Sequence, residues 1–197
     1  MGPKSAYQRR TKRGLRITVW STFSVLGVAL IAVPGSGILP PILLYNPSQS
    51  APLGWYRIEA LEHISRGDQV VSNLPQEAAE FASQRGYLPR GIPVIKTVTA
   101  LEGDTVCDTG NVLEINDVAT VRMLAADKAG RLLPSPWRTC RRLLPDEVLL
   151  LSDRAQDSFD GRYFGAVQKS DIIGRAVWMG SAVQARSEGM RGQLEGR

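Results

Sequence analysis

Two serines, Ser48 and Ser50, lie in the uncharged stretch YNPSQSAPLGWY (Tyr45–Tyr56), with Pro52 and Gly54 just after them. The stretch reads in two ways: as a linker of small and rigid residues, or as a loop presenting a serine nucleophile. A serine attacks only when a neighbouring base takes its proton. The single histidine, His63 in LEHISRGD, precedes a turn among charged residues and reads as a surface side chain. No G-x-S-x-G elbow and no S-x-x-K occurs. There is also no P-loop, H-E-x-x-H or G-x-G-x-x-G. Lysine is the base that remains, and the chain has only Lys4, Lys12, Lys96, Lys128 and Lys169. Lys96 sits in the apolar, β-branched run GIPVIKTVTAL. Burial there would disfavour its ammonium form and pull the pKa down by as much as about 3–5. The neutral amine would then serve as a base for a hydroxyl. An edge-strand lysine facing solvent is the other reading of the same residues.

The elements available to hold these groups are mostly strands. WYRIE (Trp55–Glu59), DQVVSNL (Asp68–Leu74), PVIKTVTALEGDTV (Pro93–Val106), NVLEINDVATV (Asn111–Val121), DEVLLLSD (Asp146–Asp153) and DIIGRAVWMG (Asp171–Gly180) are β-branched or alternating. Gly, Asp and Asn turns separate them. INDV reads as a hairpin turn. PQEAAEFASQRG (Pro75–Gly86) reads as one short helix, with Pro at its start and Gly at its end. The expected fold class is mainly β: an N-terminal transmembrane helix, then an antiparallel β domain with one short soluble helix.

The net charge of +5 does not point to nucleic acid. Lys4, Arg9, Arg10, Lys12, Arg13 and Arg16 fall in the first 16 residues, which hold no acid; removing these six from 24 basic residues leaves 18 against 19 acidic ones. The positive charge is therefore an N-terminal feature. From Ile17 to Tyr56 there is no charge. ITVWSTFSVLGVALIAV (Ile17–Val33) reads as a helix of roughly 25 Å ending at Pro34, slightly short of a bilayer core, with GILPPILLY completing the depth or lying in the interface. The basic flank predicts a cytoplasmic N-terminus and a translocated remainder. A cleaved signal peptide is the alternative, although the apolar run is long for one and no Ala-x-Ala site follows. Either way the folded part lies outside the cytoplasm. There, Cys107 and Cys140 would be joined. Two buried free thiols are the other possibility. Two Cys and one His without ligand spacing make a poor metal site.

Four segments in order resemble the boxes of membrane-bound type I signal peptidases, the Ser/Lys-dyad family. PSQSAPLGWYRI resembles the nucleophile box. RGDQVV and GIPVIKTVTALEGDTV resemble the next boxes, the second carrying the lysine. SDRAQDSFDGRYFGAVQKSDIIGRA resembles the Asp/Arg-rich box and the strand that closes the core. The resemblance implies a signal-peptidase-like β domain in which Ser50 is the nucleophile and Lys96 its general base. It further implies that Ser48 joins the Ser50 N–H in the oxyanion hole, that Ser158 orients the lysine, and that Asp160 and Arg162 brace the site. Asp153 and Asp157 are minor candidates.

General leader peptidases carry Ser-Met-x-Pro at the nucleophile, whereas this chain has Ser-x-Pro-x-Gly-x-Tyr. That pattern, SFDGRYFG and the Cys107/Cys140 pair resemble the conjugative-transfer, TraF-like branch. Members of that branch process a pilin precursor, and some close it into a ring by transpeptidation. The branch resemblance adds an acidic catalytic role at Asp160. The implied layout is a basic cytoplasmic segment at 1–16, an anchor and interfacial stretch at 17–44, a periplasmic catalytic domain at 45–180 and a loose polar tail at 181–197. The implied setting is the bacterial inner membrane, crossed once. The implied partners are a membrane-inserted pilin precursor or other preprotein, the lipid bilayer and the conjugative transfer apparatus. No nucleic acid, cofactor or metal is expected. The rival readings are a general type I signal peptidase and a membrane-anchored scaffold of a secretion apparatus.

Overall fold

A computed structural model describes residues 42–180 of the 197. The basic segment, the helix expected over Ile17–Val33 and the tail from Ser181 lie outside the described residues. Among the described residues no helix is long and apolar enough to cross a membrane.

In chain order the strands are β1 (Leu43–Asn46), β2 (Gly54–Glu59), β3 (Gln69–Ser72), β4 (Val94–Ala100), β5 (Thr105–Asp108), β6 (Val112–Ile115), β7 (Val118–Arg122), β8 (Arg141–Arg142), β9 (Glu147–Leu151), β10 (Val167–Gln168) and β11 (Ile172–Gly180). The α-helices are α1 (Gln76–Gln84) and the short α2 (Gly161–Phe164). A seven-stranded sheet runs β1-β2-β11-β3-β4-β9-β10, and a four-stranded sheet runs β7-β6-β5-β8. All their pairings are antiparallel.

The core follows the two-residue period of the strands. Every residue of β9 is buried, because hydrophobic clusters cover both of its faces. Leu149 and Leu151 join one cluster with Trp137 and Tyr163, while Val148 and Leu150 join another with Val70 and Val98. Each such aliphatic side chain contributes about 1.5–3 kcal/mol when fully buried. On α1, Ala78 and Ala82 are buried four residues apart, on one helix face.

The mainly β expectation and most element positions agree with the structure. Helix α1 starts directly after Pro75. At INDV, Asn116 (φ 51°) and Asp117 (φ 64°) are both left-handed, as a two-residue hairpin turn matching strand twist requires. Three local readings need correction. Pro93–Val106 is not one strand: it breaks at Leu101–Asp104, where Gly103 has φ +88° and Asp104 accepts the Leu101 N–H at 2.8 Å. This turn carries the chain from the large sheet to the small one. Strand β1 begins two residues before the expected domain boundary, since Leu43 and Leu44, read as part of the stretch 17–44, pair with Arg57 and Tyr56. The helical turn α2 was not expected beside the Asp/Arg-rich segment.

Cys107 in β5 is bonded to Cys140, which directly precedes β8, with Cα atoms 4.2 Å apart. The strands pair at Thr105↔Arg142 and Val106↔Arg141, so the two cysteines fall opposite each other. Among the described residues no free cysteine remains. The bond closes a loop of 33 residues, worth about 3–4 kcal/mol in the chain-entropy model.

Candidate active site

Ser50 lies in the turn that joins β1 to β2. Asn46, the last residue of β1, is 7% exposed and shapes that turn. Its Nδ2 faces the carbonyls of Ser48 (2.9 Å), Ala51 (3.0 Å) and Pro52 (3.1 Å). Its Oδ1 accepts from the Ser48 N–H and the Ser48 hydroxyl. From β2, Tyr56 donates its hydroxyl to the Pro52 carbonyl at 2.8 Å. Burial, with smaller opposed effects of Arg154 and Asp153, pushes this phenol up to about 12, so it remains a donor. The Ser50 Oγ lies 2.8 Å from the Ser48 Oγ.

Lys96 is in β4, an interior strand between β3 and β9, and is 4% exposed. The solvent-facing alternative is thereby excluded. Desolvation lowers its pKa from the ordinary 10.5 to about 8; Asp160 and Asp153 oppose the shift and Arg162 adds to it. Its Nζ donates to the Ser158 Oγ at 2.6 Å.

Ser158 is held by a buried ion pair. Asp160 and Arg162 are both 0% exposed. Arg162 Nε reaches Asp160 Oδ1 at 2.8 Å and its NH2 reaches Oδ2 at 2.9 Å. The rest of the guanidinium grips the carbonyls of Arg122 (2.9 Å), Gln156 (2.8 Å) and Ser158 (3.0 Å). One planar fork thus fixes the loop that carries Ser158. Asp160 also caps α2 through the Arg162 N–H and accepts the Ser152 N–H at 3.0 Å. Between the pair, Gly161 is obligatory, since a Cβ there would lie 2.7 Å from both the Leu149 side chain and the Leu150 carbonyl. Trp137 Nε1 donates to the Gly161 carbonyl at 2.7 Å.

Ser50, Lys96 and Ser158 line one groove of about 710 Å³, together with Leu124, Leu133 and Phe159. Asp127 fastens a wall of this groove. It accepts from Tyr87 after α1, from Arg131 Nε at 2.7 Å, and from the Ala129 and Arg131 N–H groups at 2.9 Å. The Tyr87 hydrogen bond and those of Arg131 and Ala129 hold its carboxyl well below the usual carboxylate range, despite opposing desolvation. Asp157 also lines the groove and pairs with Lys128. Asp153 and His63 are exposed.

Sequence reasoning missed Asn46 and Ser152. The Ser152 hydroxyl donates to the Ser50 carbonyl at 2.7 Å, across 102 residues of chain. Its N–H meanwhile binds Asp160, so Ser152 links the Ser50 turn to the buried ion pair. A lone serine among many has no local signature that would single it out. Asn46 stood inside the quoted stretch; an Asn closing a strand before a Pro-Ser turn is an available signal. Among the described residues no group of three or more His, Cys, Asp or Glu is placed to hold a metal ion.

The fold thus brings a turn serine, a buried lysine bonded to a third hydroxyl, and a shared groove together. The chain belongs to the peptidase S26 signal peptidase family, whose model matches residues 16–180. It is 32% identical over 178 residues to a plasmid transfer protein TraF of Escherichia coli, covering 86% of this chain and 94% of that one. It is 33% identical over 162 residues to a conjugal transfer protein TraF of Agrobacterium fabrum, covering 77% and 90%. A signal peptidase I structure from Enterococcus faecalis aligns over 59% of this chain and 98% of its own at 19% identity, with a TM-score of 0.38.

Proposed function

We propose that this protein is a membrane-bound serine peptidase that processes a pilin precursor for conjugative transfer. The observation that carries the reading is Lys96: it is buried, has a pKa near 8, and lies in one groove with Ser50. Ser50 Oγ attacks the scissile carbonyl while its proton passes to neutral Lys96 Nζ. The Ser50 N–H and the Ser48 hydroxyl receive the developing oxyanion, where each preorganised donor is worth about 3 kcal/mol. Lys96 then returns the proton to the leaving amine. The resulting ester has two possible acceptors: water, giving a linear product, or the pilin's own N-terminal amine, giving a ring. Asp160 takes an indirect part. Both of its oxygens are committed to Arg162 and Ser152, and its charge supports the protonated form of Lys96.

The conjugal-transfer names of the relatives favour this substrate over general exported preproteins. The proposed location is the periplasmic face of the inner membrane. In its support, Leu43, Tyr45, Trp55, Trp178 and Met179 are exposed on neighbouring strands β1, β2 and β11, and Trp and Tyr favour the membrane interface. Mass spectrometry of pilin from cells with and without this protein tests the proposal. Unprocessed pilin without the protein is expected. A product lighter by one water than the linear processed chain indicates a ring. Unchanged pilin with loss of many other exported proteins would instead identify a general signal peptidase. Mating that survives joint replacement of Ser50 and Lys96 would indicate a scaffold.

A further inference from the structure

The hydrogen bonds around Asn46 fix the direction of the hydroxyl chain at the nucleophile. The three carbonyls of Ser48, Ala51 and Pro52 only accept, so the amide nitrogen of Asn46 must face them. Its Oδ1 therefore faces Ser48, and the Ser48 N–H at 3.1 Å agrees with that orientation. An amide oxygen has no proton to give. The contact between Ser48 Oγ and Asn46 Oδ1, at 2.8 Å, thus consumes the single Ser48 hydroxyl proton. In the neighbouring 2.8 Å contact between Ser48 and Ser50, Ser50 must then be the donor. The chain runs from Ser50 to Ser48 to Asn46. Among the described residues Lys96 has its own partner in Ser158.

We propose that Asn46 is a positioning residue for the nucleophile: its amide shapes the turn from Ser48 to Pro52 and, through Ser48, pins the Ser50 hydroxyl in one place and one polarity. At rest the Ser50 proton points at Ser48. It swings to Lys96 when substrate enters the groove. The Ser48 proton reaches an oxyanion only after leaving Asn46. A loosened Asn46 therefore disturbs the turn that carries Ser48 and Ser50, leaves the rest of the groove lining in place, and costs the reacting oxygen its fixed position; misplacement by about 1 Å costs on the order of a hundredfold in rate. The inference rests on the Ser/Lys reading given above.

The test is a double-mutant cycle of Asn46→Leu and Ser48→Ala in the full-length chain in detergent. The substrate is a quenched-fluorescent peptide spanning a pilin processing site, and rates are counted per folded molecule. Each single change is expected to lower kcat about tenfold to a hundredfold while KM moves less than about threefold. The double variant should be no slower than the slower single, because both act on one hydroxyl chain. If Asn46→Leu does not fold, Asn46→Ser takes its place in the cycle. Multiplying effects, or wild-type kcat in Ser48→Ala, would overturn the proposal. Ser50→Ala in the same assay separates the two levels of argument. If it still turns over, the Ser/Lys reading falls and takes this inference with it. If it is inactive and the cycle is multiplicative, only the role of Asn46 is lost.

Discussion

Ser158 accepts a 2.6 Å hydrogen bond from the Lys96 Nζ, 62 residues away in sequence. The bond joins an interior strand to a loop that the Arg162 guanidinium grips by its carbonyls. An uncharged lysine rotates freely about its last bonds, and this contact limits where its lone pair can point. The direction of the Lys96 amine is thus set by a hydroxyl that the buried ion pair holds in place.

Activity should rise with pH through about 8, the pKa that burial leaves on Lys96. Below that value the amine is protonated and cannot take the Ser50 proton. A rate profile of processing from pH 6 to pH 10 checks this. Lys96→Arg should be inactive at every pH in that range, since arginine stays charged. Processing by Lys96→Arg at the wild-type rate would remove the lysine from the mechanism.

Stability should respond to the same residue in the same direction, rising with pH. The folded pKa of Lys96 lies below its unfolded value of 10.5. Folding therefore opposes the charged form, and the cost is complete below pH 8. It fades as pH rises from about 8 towards 10.5, because the unfolded state then holds the extra proton. Lys96→Met should raise the Tm at pH 7 and raise it less at pH 9.5. An equal gain at both values would mean that the buried charge is not the cause.

Ser158→Ala should separate aim from acidity. The ammonium loses a hydrogen-bond acceptor, which disfavours the charged form. The acid limb of the rate profile should move to lower pH while the maximum rate falls about tenfold to a hundredfold. A profile unchanged in position would show that Ser158 does not bond the reacting lysine.

Arg162→Lys should be strongly destabilising, although the charge is kept. Asp160, fully buried, would lose a two-pronged partner, and the carbonyls of Arg122, Gln156 and Ser158 would lose their donors. Breaking a buried pair costs about 3–5 kcal/mol. Denaturant titration reads the loss directly. A variant within about 1 kcal/mol of wild type would be a surface-like result and would contradict the burial.

The amino-acid sequence alone determined the features whose physics is local. Alternation set the faces of β2, and the continuous apolar run of β9 marked a strand buried on both faces. Asn116 and Asp117 tolerate the left-handed backbone of the hairpin, and Pro75 marks the start of α1. The burial of Lys96 was legible in part, because its flanking residues are apolar and β-branched, although the same run also allowed an edge strand with the lysine facing solvent. Tertiary structure alone decided the rest. Leu43–Asn46 became a strand because β2 lies beside it, a partner that the uncharged stretch itself does not reveal. The strand expected through Val106 turned at Gly103 because Asp104 bonds back to Leu101 and the chain changes sheets. Ser152 and Asn46 are ordinary polar residues whose parts depend on their neighbours. The Ser152 hydroxyl meets the Ser50 carbonyl only after β9 is laid beside β4 and the β1–β2 turn is brought over its end. Hydrogen bonds act over about 3 Å, so partners so far apart in the chain leave no mark on the sequence around either one.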